Sequence, residues 1–138
     1  MTARPVPVPD ETSSEYWAAC AEHVLKLARC ARCGQFSHPP DIICPLCHNP
    51  DPAFSFEPVT GRGKVRSWIT IHQSFLNGFD VPFVLVDVQL DDQPTVRMIG
   101  RLLDGPDAPV SMGAAVTLGF EDIAAGVAVP AFRLGGTA

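Results

Sequence analysis

Two cysteine pairs, Cys30-Ala31-Arg32-Cys33 and Cys44-Pro45-Leu46-Cys47, constrain this chain more than any other feature. Ten residues separate the pairs. Two such knuckles can close over one tetrahedral metal ion, each giving two thiolates, and Zn²⁺ is the ion that most often takes four. The loop is shorter than the roughly 15–20 residues usual between ribbon knuckles, so a small ribbon is expected. Gly34 follows the first pair, where a knuckle needs a residue that tolerates positive φ. Asn49 is expected to play the same part after the second. Iron in a rubredoxin-like site satisfies the same geometry. With four thiolates the shell is closed to water and substrate, so the site is read as structural. His38 and His48 lie nearby but are surplus to it. No βαβ pattern surrounds either pair, which argues against a redox dithiol. The fifth cysteine, Cys20, reads as a small buried hydrophobe.

The remaining composition excludes several classes. The 138 residues suit one domain, or a small core with an appended module. A 46% hydrophobic content is enough for a packed core. No run of about 18 apolar residues offers a membrane span. Met1 to Asp10, MTARPVPVPD, lacks the apolar segment of a signal peptide. Metal-spaced cysteines without an export signal point to the reducing cytoplasm. The net charge of −5 speaks against non-specific nucleic-acid binding.

Along the chain, Pro5, Pro7 and Pro9 predict an extended arm. Thr12, Ser13 or Ser14 can cap a helix that follows, with Glu15 at its positive end. Tyr16, Trp17, Cys20, Val24, Leu25 and Leu27 recur at roughly helical spacing. Pro39-Pro40 keeps the inter-knuckle segment non-helical. From residue 53 the period becomes two. Strands are predicted at Arg62–Ile71, Phe83–Leu90, Thr95–Leu102, Ala114–Phe120 and Val127–Phe132. Gly63 and Gly100 suggest bends or bulges. Five strands without helical interruption predict a mainly β fold: N-terminal helix, rubredoxin-like ribbon, then a five-stranded antiparallel OB-fold barrel. The expected division is arm and helix over 1–28, zinc ribbon over 29–52 and OB-fold domain over 53–138.

Parity assigns the strand faces. Val65, Ile69 and Ile71 are expected to face the core, as are Val84, Val86, Val88, Leu90, Val96, Met98, Gly100 and Leu102. Arg62, Lys64, Arg66, Arg97 and Arg101 are expected together on the outer face. From residue 53 on, six basic side chains meet nine acidic ones, so this face is locally basic in an acidic module. It reads either as solvated or as a site for phosphate groups or an acidic partner surface. Phe75-Leu76-Asn77-Gly78-Phe79 forms a turn-rich loop, read either as tucked over the barrel end or as a contact for a partner or acyl chain.

The ordered set of motifs resembles a known family. It comprises Trp17 in a helix, Cys30-x-x-Cys33-Gly34, Pro39-Pro40 and Cys44-Pro45-x-Cys47. Thr60-Gly61-Arg62-Gly63-Lys64-Val65 and Pro82 through Leu90 follow, then Gly113-x-x-Val116 and Val129-Pro130-Ala131-Phe132. Single pieces are common, but their order and spacing are specific. The chain resembles the zinc-ribbon OB-fold family of acyl-CoA-associated proteins, long catalogued as a domain of unknown function. The resemblance covers Trp17 to Phe132 and leaves out the proline-rich arm. It implies an accessory subunit of a thiolase-like enzyme complex, a retro-aldol lyase or a thiolase, for example in steroid or acyl side-chain degradation. The lipid-transfer-protein-type partner would carry the catalytic residues.

The residues themselves offer little chemistry. His23, His38, His48 and His72 belong to no nucleophile–base spacing, and no GxSxG elbow is present. Asp87 is expected to pair with Arg97 or Arg101 across the sheet. A stand-alone acyl-CoA-binding protein and a nucleic-acid-binding OB protein are the alternatives to the accessory reading.

Overall fold

A computed structural model describes residues 3–135. The first two residues of the arm and the last three of the segment assigned to the barrel lie outside the described residues. One helix and eight strands follow in order: α1 (Ser14–Ala21), β1 (Lys26–Arg29), β2 (Phe36–Ser37), β3 (Ser55–Pro58), β4 (Gly63–Ile71), β5 (Phe83–Leu90), β6 (Arg97–Leu102), β7 (Ala115–Ala124) and β8 (Val127–Leu134).

The helix starts where Asp10 collects its donors. Asp10 Oδ1 accepts the backbone N–H of Thr12 at 3.1 Å and of Ser13 at 2.9 Å, and both their hydroxyls as well. Ser13 occupies the N-cap position without a side-chain cap bond, so the capping expected of Thr12, Ser13 or Ser14 comes from Asp10. The helix is only eight residues long, shorter than the apolar spacing suggested. His23 adopts φ 59°, a left-handed conformation that ends it. The Val24 N–H then donates back to the Ala19 carbonyl at 2.9 Å. Leu27 therefore lies in β1 and Leu25 just before it, and both are buried beside Tyr16 and Cys20.

β1 is the centre of a three-stranded sheet in the order β2-β1-β3. Ala28 pairs with Ser37 on one side and Phe56 on the other. These three short strands were not foreseen. β4 to β8 form a closed barrel in the order β4-β5-β6-β8-β7, with Gly63 opposite Val116 completing the ring. The barrel is mixed, not antiparallel throughout: β6 runs parallel to β8 through Arg101–Ala131 and Leu102–Phe132. The reason is parity. Strand direction cannot alternate all the way round a ring of five, so at least one neighbouring pair must run the same way.

β4 departs from the expected faces at Arg66. Val65 pairs with Val88, but Ser67 pairs with Asp87, so Arg66 is the extra residue of a bulge. One extra residue reverses every later side chain. Trp68 now opposes buried Val86, and Ile69 opposes Leu85 on the outside. Ile69 is 56% exposed and Ile71 is half-buried, contrary to the core positions expected of them. The expected inward set of β5 and β6 is buried as read. Gly63 and Gly100 are sites of close approach instead of bulges. A Cβ on Gly63 would lie 2.4 Å from Val88 Cγ1, and one on Gly100 would lie 3.0 Å from the Phe132 ring.

One core joins the modules: Tyr16, Cys20, Leu25 and Leu27 pack with the barrel side chains Val65, Val86, Val88, Leu90, Val116 and Phe132. Among the described residues no helix is long and apolar enough to cross a membrane.

The bulge makes a prediction opposite to simple alternation. Ile69→Thr should change stability by no more than about 0.5 kcal/mol, as surface substitutions do. Leu90→Ala, at a site 1% exposed, should cost about 2–5 kcal/mol. Urea denaturation midpoints of the two variants measure the difference. Equal losses would place Ile69 in the core.

Candidate functional site

The four cysteines converge. The Sγ atoms of Cys30, Cys33, Cys44 and Cys47 all lie within 4.8 Å of one another, and no histidine belongs to the group. Cys30 and Cys47 are 3.8 Å apart sulfur to sulfur, as are Cys33 and Cys44. A regular tetrahedron with Zn–S bonds of about 2.3 Å has edges of about 3.8 Å, so the donor set fits one Zn²⁺ with no open position.

The two knuckles are built alike. Gly34 N–H donates to the Cys30 carbonyl at 2.8 Å, and His48 N–H to the Cys44 carbonyl at 2.9 Å. The residue directly after each pair is left-handed, Gly34 at φ 75° and His48 at φ 63°. His48, not Asn49, therefore takes the second left-handed position. Asn49 instead accepts the Asp51 N–H on its side-chain oxygen at 2.8 Å. Backbone N–H groups also point at sulfur, Arg32 to Cys30 at 3.3 Å and Cys47 to Cys44 at 3.5 Å. Such bonds favour thiolate over thiol. The Cys44 thiol is drawn down to about 6, chiefly by the Cys47 N–H. The Arg32 guanidinium ties the first knuckle to the Asp51 carbonyl and carboxylate at 2.8 and 3.0 Å.

His38 turns away from the sulfurs and packs on Tyr16, ring centroids 5.1 Å apart. Burial pushes its pKa down, so the imidazole stays neutral. It lines an open cavity of about 400 Å³ with Tyr16, Trp17, Met98, Ile99 and Pro130. At the same rim the hydroxyls of Thr12 and Ser13 are both committed to Asp10. Cys20 is fully buried and its thiol is raised to about 11 by desolvation, as suits an inert core residue.

The five cations of the barrel do not form one uncompensated face. Lys64 pairs with Asp91 at 3.0 Å and Arg62 lies 3.6 Å from Asp92. Arg97 pairs with Asp87, whose carboxyl is held below its usual range by that guanidinium. Arg101 pairs with Glu121. Arg66, on the bulge, is the one of the five with no carboxylate partner among the described residues. Between the pairs the surface is apolar: Ile69 and Ile99 are 56% and 70% exposed beside Leu85 and Trp68. The Phe75 loop is not tucked in. Phe75 is 91% exposed, and Leu76 is exposed beside it.

A second group escaped the sequence reading altogether. Glu121 accepts Arg4 at 3.1 and 3.3 Å in addition to Arg101. The Arg4 guanidinium also sits 4.8 Å above the Phe79 ring. No local signal could reveal this pair, because 117 positions separate Arg4 from Glu121. Burial works to raise the Glu121 carboxyl, but Arg4 and Arg101 outweigh it and hold it below the ordinary range.

Comparison with known proteins agrees with this geometry. Residues 17–53 match the family model "ChsH2, rubredoxin-like zinc ribbon domain". Residues 56–121 match "ChsH2, C-terminal OB-fold domain". A probable enoyl-CoA hydratase alpha subunit of Thermomonospora curvata is 27% identical over 132 residues, 94% of this chain. The 3-oxo-4,17-pregnadiene-20-carboxyl-CoA hydratase alpha subunit of Mycobacterium tuberculosis is 30% identical over 107 residues, 78% of this chain. The chain spans only 40% and 33% of the lengths of these two relatives. The structure of an Ltp2-ChsH2(DUF35) aldolase superposes with a TM-score of 0.80 at 26% identity, covering 93% of this chain and 98% of that one. A DUF35 protein of unknown function from Sulfolobus solfataricus shares the fold, with a TM-score of 0.61 at 11% identity.

Two outcomes are expected. Cys44→Ser should lose zinc and solubility together, since structural zinc supplies on the order of 10 kcal/mol to folding in zinc-finger peptides. Metal analysis of the purified protein checks it, and one equivalent of zinc in the folded variant would refute it. Glu121 sets a pH limit. Its folded pKa lies below that of an ordinary glutamate, 4.5, so its contribution is complete above the ordinary value and is lost as pH falls through the folded pKa. The stability difference between the native protein and Glu121→Gln should be largest near neutrality and shrink in acid. Denaturation curves across that range test it, and a constant difference would contradict it.

Proposed function

Because the chain belongs to the ChsH2-type zinc-ribbon OB-fold (DUF35) family, we propose that it is a non-catalytic subunit of a hetero-oligomeric enzyme acting on acyl-CoA thioesters. The observation that carries this reading is the near end-to-end match to one chain of an aldolase complex. In that setting the partner is a thiolase-like subunit of lipid-transfer-protein type and the reaction is a retro-aldol cleavage, the bond-breaking groups coming from the partner. The chain's own chemistry supports the division. Its metal shell is closed. The Thr12 and Ser13 hydroxyls at the cavity beside His38 are both committed to Asp10.

A second reading keeps the subunit role and changes the reaction. Both curated relatives are alpha subunits of hydratases, so the partner would hydrate an enoyl-CoA. Under either reading, Arg62, Lys64, Arg66, Arg97 and Arg101 are proposed contacts for CoA phosphate or a partner. Arg66 is the foremost of them, because it has no carboxylate to release first. A steroid-derived acyl group is the proposed substrate class, on the strength of the pregnadiene-carboxyl-CoA relative, and the cytoplasm the proposed compartment. A nucleic-acid ligand is disfavoured by the net charge and the neutralised cations.

Co-expression distinguishes these readings. The chain alone should show no aldol cleavage, thiolysis or hydration of acyl-CoA substrates. It should co-purify with a thiolase-like protein and raise that protein's aldol-cleavage activity. Co-purification with a hydratase subunit instead selects the second reading. Turnover by the purified chain alone would overturn both.

A further inference from the structure

The proline-rich arm precedes both family domains, the first of which begins at residue 17, and it is fastened to β7 of the barrel. Arg4 reaches Glu121 on β7 with two guanidinium nitrogens. The same guanidinium lies over Phe79, which stacks on Phe83 at the start of β5, ring centroids 5.5 Å apart. The arm backbone runs against Gly78. A Cβ there would come within 2.6 Å of Arg4 N and 2.9 Å of the Ala3 carbonyl carbon. Gly78 sits at φ 84°, which a side chain would also resist. A cation–π contact and a backbone contact therefore link the arm to one loop, and an ion pair anchors the same arginine to β7.

That loop, residues 72–82, connects β4 to β5 and carries exposed Phe75, Leu76 and Val81. Its tip makes few contacts of its own. Ser74 Oγ bonds the Leu76 backbone, accepting its N–H at 3.2 Å and donating to its carbonyl at 3.1 Å. A loop of this length with a solvent-facing apolar tip opens locally unless something outside it holds it down. Arg4 and Glu121 are both largely shielded, at 18% and 12% side-chain exposure. Their pair is therefore less screened than a surface ion pair.

We propose that the N-terminal arm is a strap, buckled at Arg4, that holds the 72–82 loop in a single conformation and so presents Phe75 and Leu76 in a fixed position. The significance of that position for a partner rests on the subunit reading above; the strap itself does not. Ile69, Leu85 and Arg101 are successive partners across β4, β5 and β6, so the Glu121 that anchors the arm, itself paired with Arg101, borders the same apolar face. The chain meets that partner with the loop already ordered, and the ordering entropy of its apolar tip is settled before association.

The test uses the intact chain and an Arg4→Ala variant, with Arg4→Lys as a conservative control and a chain starting at Asp10 as the complete removal. Amide hydrogen exchange is read peptide by peptide. In Arg4→Ala, exchange over residues 73–81 should quicken about tenfold or more. β5 and the cysteine knuckles should keep their native rates, and Arg4→Lys should fall between. Unchanged exchange over 73–81 in both Arg4→Ala and the shortened chain overturns the strap. So does an equal acceleration throughout the barrel, which would make the arm a general stabiliser. Pull-down with the thiolase-like partner is a separate readout. Weaker capture of Arg4→Ala supports the presented loop as a contact. Faster loop exchange with undiminished capture leaves the strap standing and removes the loop from the interface.

Discussion

Four thiolates on one metal ion hold together a part of this molecule that has almost nothing else to hold it. Between Cys30 and Pro52 the buried apolar side chains are Cys30, Cys44 and Pro52, with Phe36 partly buried against the core, while Ile42, Ile43 and Leu46 face solvent. A segment this short cannot bury enough surface to order itself. The metal supplies the missing free energy, and the Cys47 N–H aimed at the Cys44 sulfur lowers the cost of making a thiolate there. The consequence reaches beyond the knuckles. β2 returns to pair with β1 only because the first knuckle reverses the chain, and β1 carries Leu27 into the core shared with the barrel. The relation between ribbon and barrel thus depends on a closed four-cysteine site.

The barrel shows how charge and pleat together decide what a sheet face can bind. An OB barrel that binds nucleic acid combines free cations with stacking aromatics. Here Lys64, Arg97 and Arg101 each meet a carboxylate of the same chain. The bulge at Arg66 turns Ile69 outward between them. The result is apolar ground bordered by satisfied ion pairs, closer in character to a protein interface with a polar rim than to a phosphate-binding groove. Releasing those cations to an incoming phosphate would first require breaking the pairs they already make.

How much of this was legible depended on whether the determinant was local. The cysteine spacing named the ligands because metal geometry restricts spacing directly, and Gly34 followed from the same turn. The second left-handed residue was misplaced by one, because His48 has no glycine-like signature. β5 was read residue for residue, since Phe83 to Leu90 alternates without interruption. β4 was readable only to Arg66. The adjacent apolar pair Trp68-Ile69 was the visible sign of broken alternation, but a bulge is fixed by the partner strand's register and not by the bulged strand alone. The helix was drawn too long because apolar residues beyond His23 kept a helical spacing while serving β1. The Arg4–Glu121–Arg101 cluster could not be read at all, being created by closure of the barrel.

That closure also explains why the two ends of the described chain come to matter to each other. A five-stranded ring needs one parallel pair, and β6 beside β8 provides it. Parallel neighbours cannot be joined by a tight hairpin, so β7 must cross the barrel between them and close against β4. In crossing, it carries Glu121 to a position next to Arg101, where a lone carboxylate amid apolar strands would be expensive to ionise. Arg101 alone neutralises it but leaves its other oxygen to find a donor. The arm supplies one in Arg4, and the guanidinium that completes this pairing also covers Phe79. The odd strand count thus leads, by way of one half-buried carboxylate, to an N-terminal segment fixed against the loop between β4 and β5.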